Sequence, residues 1–259
     1  MQARMNDGAV LSYSKVGHGQ PVILIHGFGG YRQIWTRQVP FLVSQGYQVI
    51  SYDHRGHGAS AREPQVTSIK QLVDDLVTLM QVLHVERPVL MGHSMGAAVI
   101  YGLFHYYPQL PVRAAVAIDQ SPKMLNAPDW EYGFMDITRG NYRTKLATFG
   151  RVKETLNGVD DQVYLALKEA KAQYPVDQKT LMPLMYDHAR RDWRAALAAT
   201  TVPTLLVTAN QSPFFDGAFG DVMAENNQLI THQRIDQTGH CVMAEQPAAF
   251  NRCVQEFLA

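Results

Sequence analysis

The chain has 259 residues, 46% of them hydrophobic, enough for one large α/β domain or two small ones with a well-buried core. Lys plus Arg and Asp plus Glu balance at 23 each, so no net field favours nucleic acid or an anionic membrane as a partner. Two cysteines, Cys241 and Cys253, make no disulfide framework and fit free thiols in a reducing compartment.

Residues 1–8 contain no apolar core of a signal peptide, and no apolar run approaches membrane-spanning length, so a cytoplasmic protein is expected. The first buried strand is Val22-Ile23-Leu24-Ile25, and it runs into His26-Gly27-Phe28-Gly29-Gly30. Glycines at a strand end let the backbone approach a substrate closely, which marks the N–H of Phe28 as a candidate oxyanion donor. A second strand, Val49-Ile50-Ser51-Tyr52, leads into Asp53-His54-Arg55-Gly56-His57-Gly58-Ala59-Ser60. Residues 68–83 predict a helix: Ile69, Leu72, Val73, Leu76, Leu79, Met80 and Leu83 recur at helical spacing, while Asp74 and Asp75 leave the stripe.

Val89-Leu90-Met91 reads as a third strand, and it passes directly into Gly92-His93-Ser94-Met95-Gly96 and a small, apolar helical run. This is the nucleophile-elbow pattern, in which a serine is lifted clear of the sheet on a strained strand-to-helix turn. The N–H of Met95, at a helix N-terminus, becomes the second candidate oxyanion donor. A fourth strand, Ala114-Ala115-Val116-Ala117-Ile118, ends on Asp119. From residue 120 to 194 the texture turns rich in Trp, Tyr, Met and charge, which reads as a helical cap inserted into a core of residues 1–119 and 195–259. The strand pattern resumes at Val202-Pro203-Thr204-Leu205-Leu206-Val207, and a helix over residues 248–258 closes the chain.

A serine nucleophile needs a base, and His240 in Gln237-Thr238-Gly239-His240-Cys241 sits on a late loop from which it can reach back to Ser94. No group of His, Cys, Asp and Glu has metal-ligand spacing, so neither a metal nor another cofactor is expected. These motifs, in this order, make the chain similar to the α/β-hydrolase superfamily along essentially its whole length, in its serine esterase and cofactor-free haloperoxidase-like branch. The resemblance implies a mostly parallel sheet covered by helices on both faces, and the fold class expected is α/β. It also implies that the loop carrying Asp53, His54, Arg55 and His57 is structural, and His26 is read as a structural hydrogen-bonder rather than a second base.

The triad acid departs from the family's pattern. The family usually carries Asp in a Gly-x-x-Asp loop after the strand that ends here at Val207, but this loop reads Ala209-Asn210-Gln211-Ser212. Two acids remain: Asp216, four residues beyond Ser212, and Asp119, at the end of an earlier strand, where the related haloalkane dehalogenases hold theirs. Asp119 is preferred because a rigid strand end positions a carboxylate better than a loop.

Ser94 points to acyl transfer through an acyl-enzyme, and it excludes epoxide hydrolase and dehalogenase chemistry, whose elbow carries Asp. A carboxylic ester with a short to medium acyl group is the expected substrate. An apolar pocket would draw on Met124, Trp130, Tyr132, Phe134, Met135, Tyr142, Phe149, Met182, Met185, Tyr186 and Trp193 of the cap, with Phe214 and Phe215 beyond it, although most of these side chains would simply pack. No basic pair in the cap stands out for phosphate or carboxylate, so a neutral ester is favoured. A carbon–carbon bond hydrolase, a perhydrolase and a non-catalytic small-molecule binder on the same fold remain as alternatives.

Overall fold

The computed structural model describes residues 1–259, with only the side chain of Phe149, one of the expected pocket aromatics, outside the described set. Eight strands form one sheet: β1 (Gln2–Arg4), β2 (Val10–Val16), β3 (Gln20–Ile25), β4 (Tyr47–Tyr52), β5 (Val89–His93), β6 (Ala114–Ile118), β7 (Thr204–Ala209) and β8 (Ile230–Ile235). Across the sheet they run β1-β2-β4-β3-β5-β6-β7-β8. From β4 to β8 every pairing is parallel, whereas β1 and β2 pair antiparallel at one edge. The parallel strands β5, β6 and β7 are buried along their whole length, as predominantly apolar strands covered on both faces are.

Helices α1 (Gln38–Ser44), α2 (Ile69–Val82) and α3 (Met95–Tyr106) fall within the first half. Residues 120–194 contribute α4 (Tyr142–Leu146), α5 (Asp161–Gln173) and α6 (Gln178–Ala189), and no strand of the sheet. Then follow α7 (Arg194–Ala199), α8 (Phe219–Asn226), α9 (Val242–Glu245) and α10 (Pro247–Leu258). The sheet divides the core in two. Met124, Phe134, Leu184 and Trp193 join the cluster that contains α2 and α3, while Val163 of α5 joins the one on the opposite face with Trp35 and Phe250. The segment therefore packs into the main core rather than around one of its own.

Helix α2 starts where its cap residue dictates: Ser68 is extended and its hydroxyl accepts the Gln71 N–H at 3.3 Å. One expectation for this helix is corrected. Asp75 does not leave the apolar stripe; it is 3% exposed and faces the core. The reason is Arg55, itself 2% exposed, whose Nε donates to Asp75 at 2.6 Å and whose Nη1 reaches Asp7 at 2.6 Å. A carboxylate can occupy a core position when a guanidinium hydrogen-bonded to it neutralises it there. The pair ties the loop after β4 to α2 and to the N-terminal turn.

Parallel register brings the chemistry to one edge. His93 of β5 pairs with Ile118 of β6, and Ile118 with Val207 of β7, so Ser94 and Asp119 leave the sheet side by side. On the other flank Ile25 of β3 pairs with Gly92, which delivers residues 26–30 to the same edge.

Candidate active site

Ser94 has φ 53° and ψ −123° and stands at the N-cap of α3. A non-glycine residue there is strained by roughly 1–3 kcal/mol, tolerated only where surroundings overdetermine it. They do: Ser94 N–H donates to Ile118 O at 2.9 Å, and Ser94 O accepts Ala97 N–H at 2.8 Å. Gly96 permits the turn, because a Cβ there would drive into the Ile25 carbonyl oxygen. Met95 opens α3, so its N–H has no intrahelical acceptor. Ser94 and Phe28 line a cavity of about 640 Å³, together with Gly27, Gly29 and His240.

His240 is 4% exposed, and its Nδ1 lies 2.7 Å from Oδ2 of Asp119, which is fully buried. The carboxylate that meets the imidazole is therefore Asp119. Asp216 is exposed and its Oδ1 accepts the Ala218 N–H at 2.9 Å. Asp119, like Ser94, has a positive φ, 46°, a conformation that Asp accepts more readily than most side chains. Its Oδ1 accepts the Ala209 N–H at 3.1 Å, and its Oδ2 accepts the Ser212 hydroxyl at 2.6 Å. Ser212, which replaces the family's usual acid, thus touches the same carboxylate oxygen as His240. Its own oxygen accepts the N–H groups of Phe214 and Phe215, each at 3.3 Å.

The histidine loop is clamped by groups that sequence reasoning missed. Glu245, on α9, accepts the N–H of Cys241 at 3.1 Å through one oxygen, and those of Gly239 and Leu156 at 3.1 and 2.8 Å through the other. The His240 N–H donates to Glu154 O at 2.7 Å, and a Cβ on Gly239 would lie 2.6 Å from that same oxygen. Residues 154–156 of the segment between β6 and β7 thus lie flat against the histidine loop. From below, His93 Nε2 donates to the His240 carbonyl at 3.0 Å. The spacing Gly239-His240…Glu245, a glycine before the base and an acid on the next turn, is the signal that could have found Glu245.

The glycine-rich strand end is braced by histidines. His26 Nε2 accepts the His54 N–H at 3.0 Å, and its Nδ1 lies 2.7 Å from Gly27 O. His57 Nε2 accepts the Gly29 N–H at 3.0 Å, and its Nδ1 donates to Arg55 O at 3.0 Å. Asp53 accepts Arg32 Nη1 at 2.6 Å and the Ala59 N–H at 3.1 Å. Burial pushes the His26 imidazole down to about 4 and His57 to about 3, and it holds His54 and His93 well below the usual imidazole range. His188 of α6, on the far wall of the cavity, is pushed by burial to about 4.

These imidazoles set a pH dependence of stability. Their folded values lie below the unfolded 6.5, so between pH 6.5 and about 4 the unfolded chain binds protons that the folded chain refuses. Each then removes up to about 1.4 kcal/mol of stability per pH unit of acidification. The melting temperature is expected to hold steady above pH 7 and to fall steeply from pH 6.5 to 4. A melting temperature flat across that window, measured by circular dichroism, would contradict the neutral buried imidazoles.

Of the apolar residues expected to form a pocket, Met124, Phe134, Met185 and Phe214 line the cavity. Tyr132, Met135, Tyr142, Met182, Tyr186 and Phe215 are not part of its lining, and Trp130 and Trp193 are buried elsewhere, packing the segment down. The cavity also takes in Lys168 and Lys171 of α5, which the sequence offered no reason to single out. Cys241 lies beside the base, but burial raises its thiol well above the ordinary cysteine range, which leaves it inert.

A serine on a strained turn, opening into the same cavity as an imidazole held by a buried carboxylate, is the equipment of a hydrolase. The chain belongs to the alpha/beta hydrolase family, whose family model matches residues 22–252. It is 26% identical to 3-oxoadipate enol-lactonase 2 of Acinetobacter baylyi over 257 residues, covering 95% of this chain and 91% of that one. It is 29% identical to human protein ABHD8 over 244 residues, covering 92% of this chain but 54% of that protein, and it spans about half the length of several curated relatives. In three dimensions it is similar to an esterase from Exiguobacterium antarcticum, with a TM-score of 0.85, 19% identity, and coverage of 100% of this chain and 99% of that one. At that identity the likeness is one of fold. Among the described residues no helix is long and apolar enough to cross a membrane.

Proposed function

We propose that the protein hydrolyses a carboxylic ester of short to medium acyl length through an acyl-enzyme, with Ser94, His240 and Asp119 as the triad. The observation that carries this reading is the 2.7 Å contact between His240 Nδ1 and Asp119 Oδ2 in the cavity that Ser94 enters. With Nδ1 committed to the carboxylate, Nε2 is the ring nitrogen left to serve Ser94. Ser94 Oγ attacks the ester carbonyl carbon and gives its proton to His240 Nε2; the alkoxide leaves with that proton as an alcohol. Water then attacks the acyl-enzyme, passing one proton to His240, which returns it to Ser94 Oγ as the acid departs. Asp119 accepts the hydrogen bond from Nδ1–H throughout and stays ionised, fixing the tautomer and stabilising the imidazolium. The backbone N–H groups of Phe28 and Met95 receive the negative oxygen of each tetrahedral intermediate.

The names of an enol-lactonase relative and an esterase neighbour support an ester or lactone carbonyl as the target. The test is a panel: p-nitrophenyl esters of two to ten carbons, a vinylogous diketone, and a fluorophosphonate probe. Ester turnover with labelling at Ser94 is expected. Turnover of the diketone alone would replace the ester reading by carbon–carbon bond hydrolysis, and failure of folded protein to label would favour a binding role.

A further inference from the structure

One face of α5 forms a wall of the cavity. Tyr164, Leu167, Lys168 and Lys171, spaced i, i+3, i+4 and i+7, all line it, so a single helical stripe faces the cavity that Ser94 also lines. Lys168 and Lys171 are exposed at its mouth. Three apart on a helix, their stems start about 5–6 Å from one another, close enough for both ammonium groups to meet one small anion. Among the described residues neither lysine has an ion-pair partner, whereas Lys70, Lys123 and Lys145 are each held by an aspartate. The only other carboxylate or cation in the wall is Glu154, so the lining carries an excess of one positive charge in a chain whose net charge is zero. The two lysines share that lining with Ser94, His240 and Cys241. Two like charges left unneutralised beside a partly enclosed cavity repel each other, and an anion placed between them relieves that repulsion.

We propose that the substrate is an ester bearing an anionic group, a carboxylate set off from the scissile carbonyl, held at the cavity mouth by Lys168 and Lys171. The proposal rests on the ester-hydrolase reading, and it departs from the neutral ester that the sequence suggests. Lysine sidedness is the difference: along the sequence Lys168 and Lys171 are two of many surface charges, and only the helix orientation brings both to the cavity that Ser94 lines.

The experiment compares matched esters in which one end is neutral or anionic. On the acyl side these are p-nitrophenyl valerate and p-nitrophenyl hemiglutarate; on the alcohol side, acetates of benzyl alcohol and of 4-(hydroxymethyl)benzoate. The readout is the ratio of kcat/KM, anionic over neutral, in wild type, in Lys168→Glu/Lys171→Glu, and in Lys15→Glu, a control of the same sign on the distant strand β2. In wild type at least one pair is expected to favour the anion by about five- to tenfold, mostly through KM, with the preference shrinking as salt is added. The double variant is expected to lower that ratio by tenfold or more, and Lys15→Glu to leave it unchanged. Wild-type hydrolysis of the neutral esters with no anionic preference, or a ratio indifferent to the double variant, overturns the lysine subsite and leaves the ester reading standing. Failure on all four esters overturns both.

Discussion

Asp119→Asn is expected to lower kcat for ester hydrolysis by about four orders of magnitude while the protein stays folded. The amide can keep the Ala209 N–H as a donor to its oxygen, but it then turns an NH₂ toward His240 Nδ1, where a carboxylate oxygen now stands at 2.7 Å. That donor forces the imidazole proton onto Nε2, the nitrogen that must take the proton of Ser94. Asp216→Asn, altering an exposed side chain bonded to Ala218 N–H, is expected to leave turnover within about twofold of wild type, within the range of an ordinary surface change. Turnover above a tenth of wild type in Asp119→Asn, alongside a loss in Asp216→Asn, would move the acid to residue 216. A further variant sharpens the result. The Ser212 hydroxyl already lies 2.6 Å from the oxygen that bonds His240, so Ser212→Asp in the Asp119→Asn background should recover a measurable part of the lost turnover.

Ser94→Ala carries the largest expected loss, about a millionfold in kcat, the scale on which removal of a serine nucleophile acts when base and oxyanion donors remain. Alanine adopts the strained turn no less well than serine, and the Ile118 and Ala97 backbone bonds do not depend on the hydroxyl. Thermal stability should therefore be kept, and fluorophosphonate labelling should vanish. A folded Ser94→Ala protein with more than about a thousandth of wild-type turnover would remove Ser94 from the role of nucleophile.

The parallel heart of the sheet was legible because buried parallel strands are predominantly apolar. Val22 to Ile25, Val49 to Tyr52 and Ala114 to Ile118 announce themselves, and the residues following each strand are delivered to one edge. The antiparallel edge was not. β1 is three residues long, and β2 mixes Ser12, Ser14 and Lys15 with its apolar positions, so neither gives a run that stands out. Ser94, His240 and Asp119 could be nominated from motif and strand end, yet their supports could not. Glu245 and Ser212 act through hydrogen bonds across loops, and a contact between residues 93 apart, such as Ser212 to Asp119, leaves no local pattern. Asp75 shows the converse failure: helical periodicity counts a charge as outward-facing, and only its pairing with Arg55 places it inside.

The bonds that join residues 154–156 to the histidine loop couple one wall of the cavity to the seat of His240. Glu154 O is the acceptor of the His240 N–H, and Glu245 grips Leu156 with the same oxygen that grips Gly239. A hinged lid built from this segment would tear the imidazole from its setting each time it opened. Opening the rim at this segment therefore breaks the hydrogen bonds that seat His240, so entry to the cavity is coupled to the setting of its imidazole.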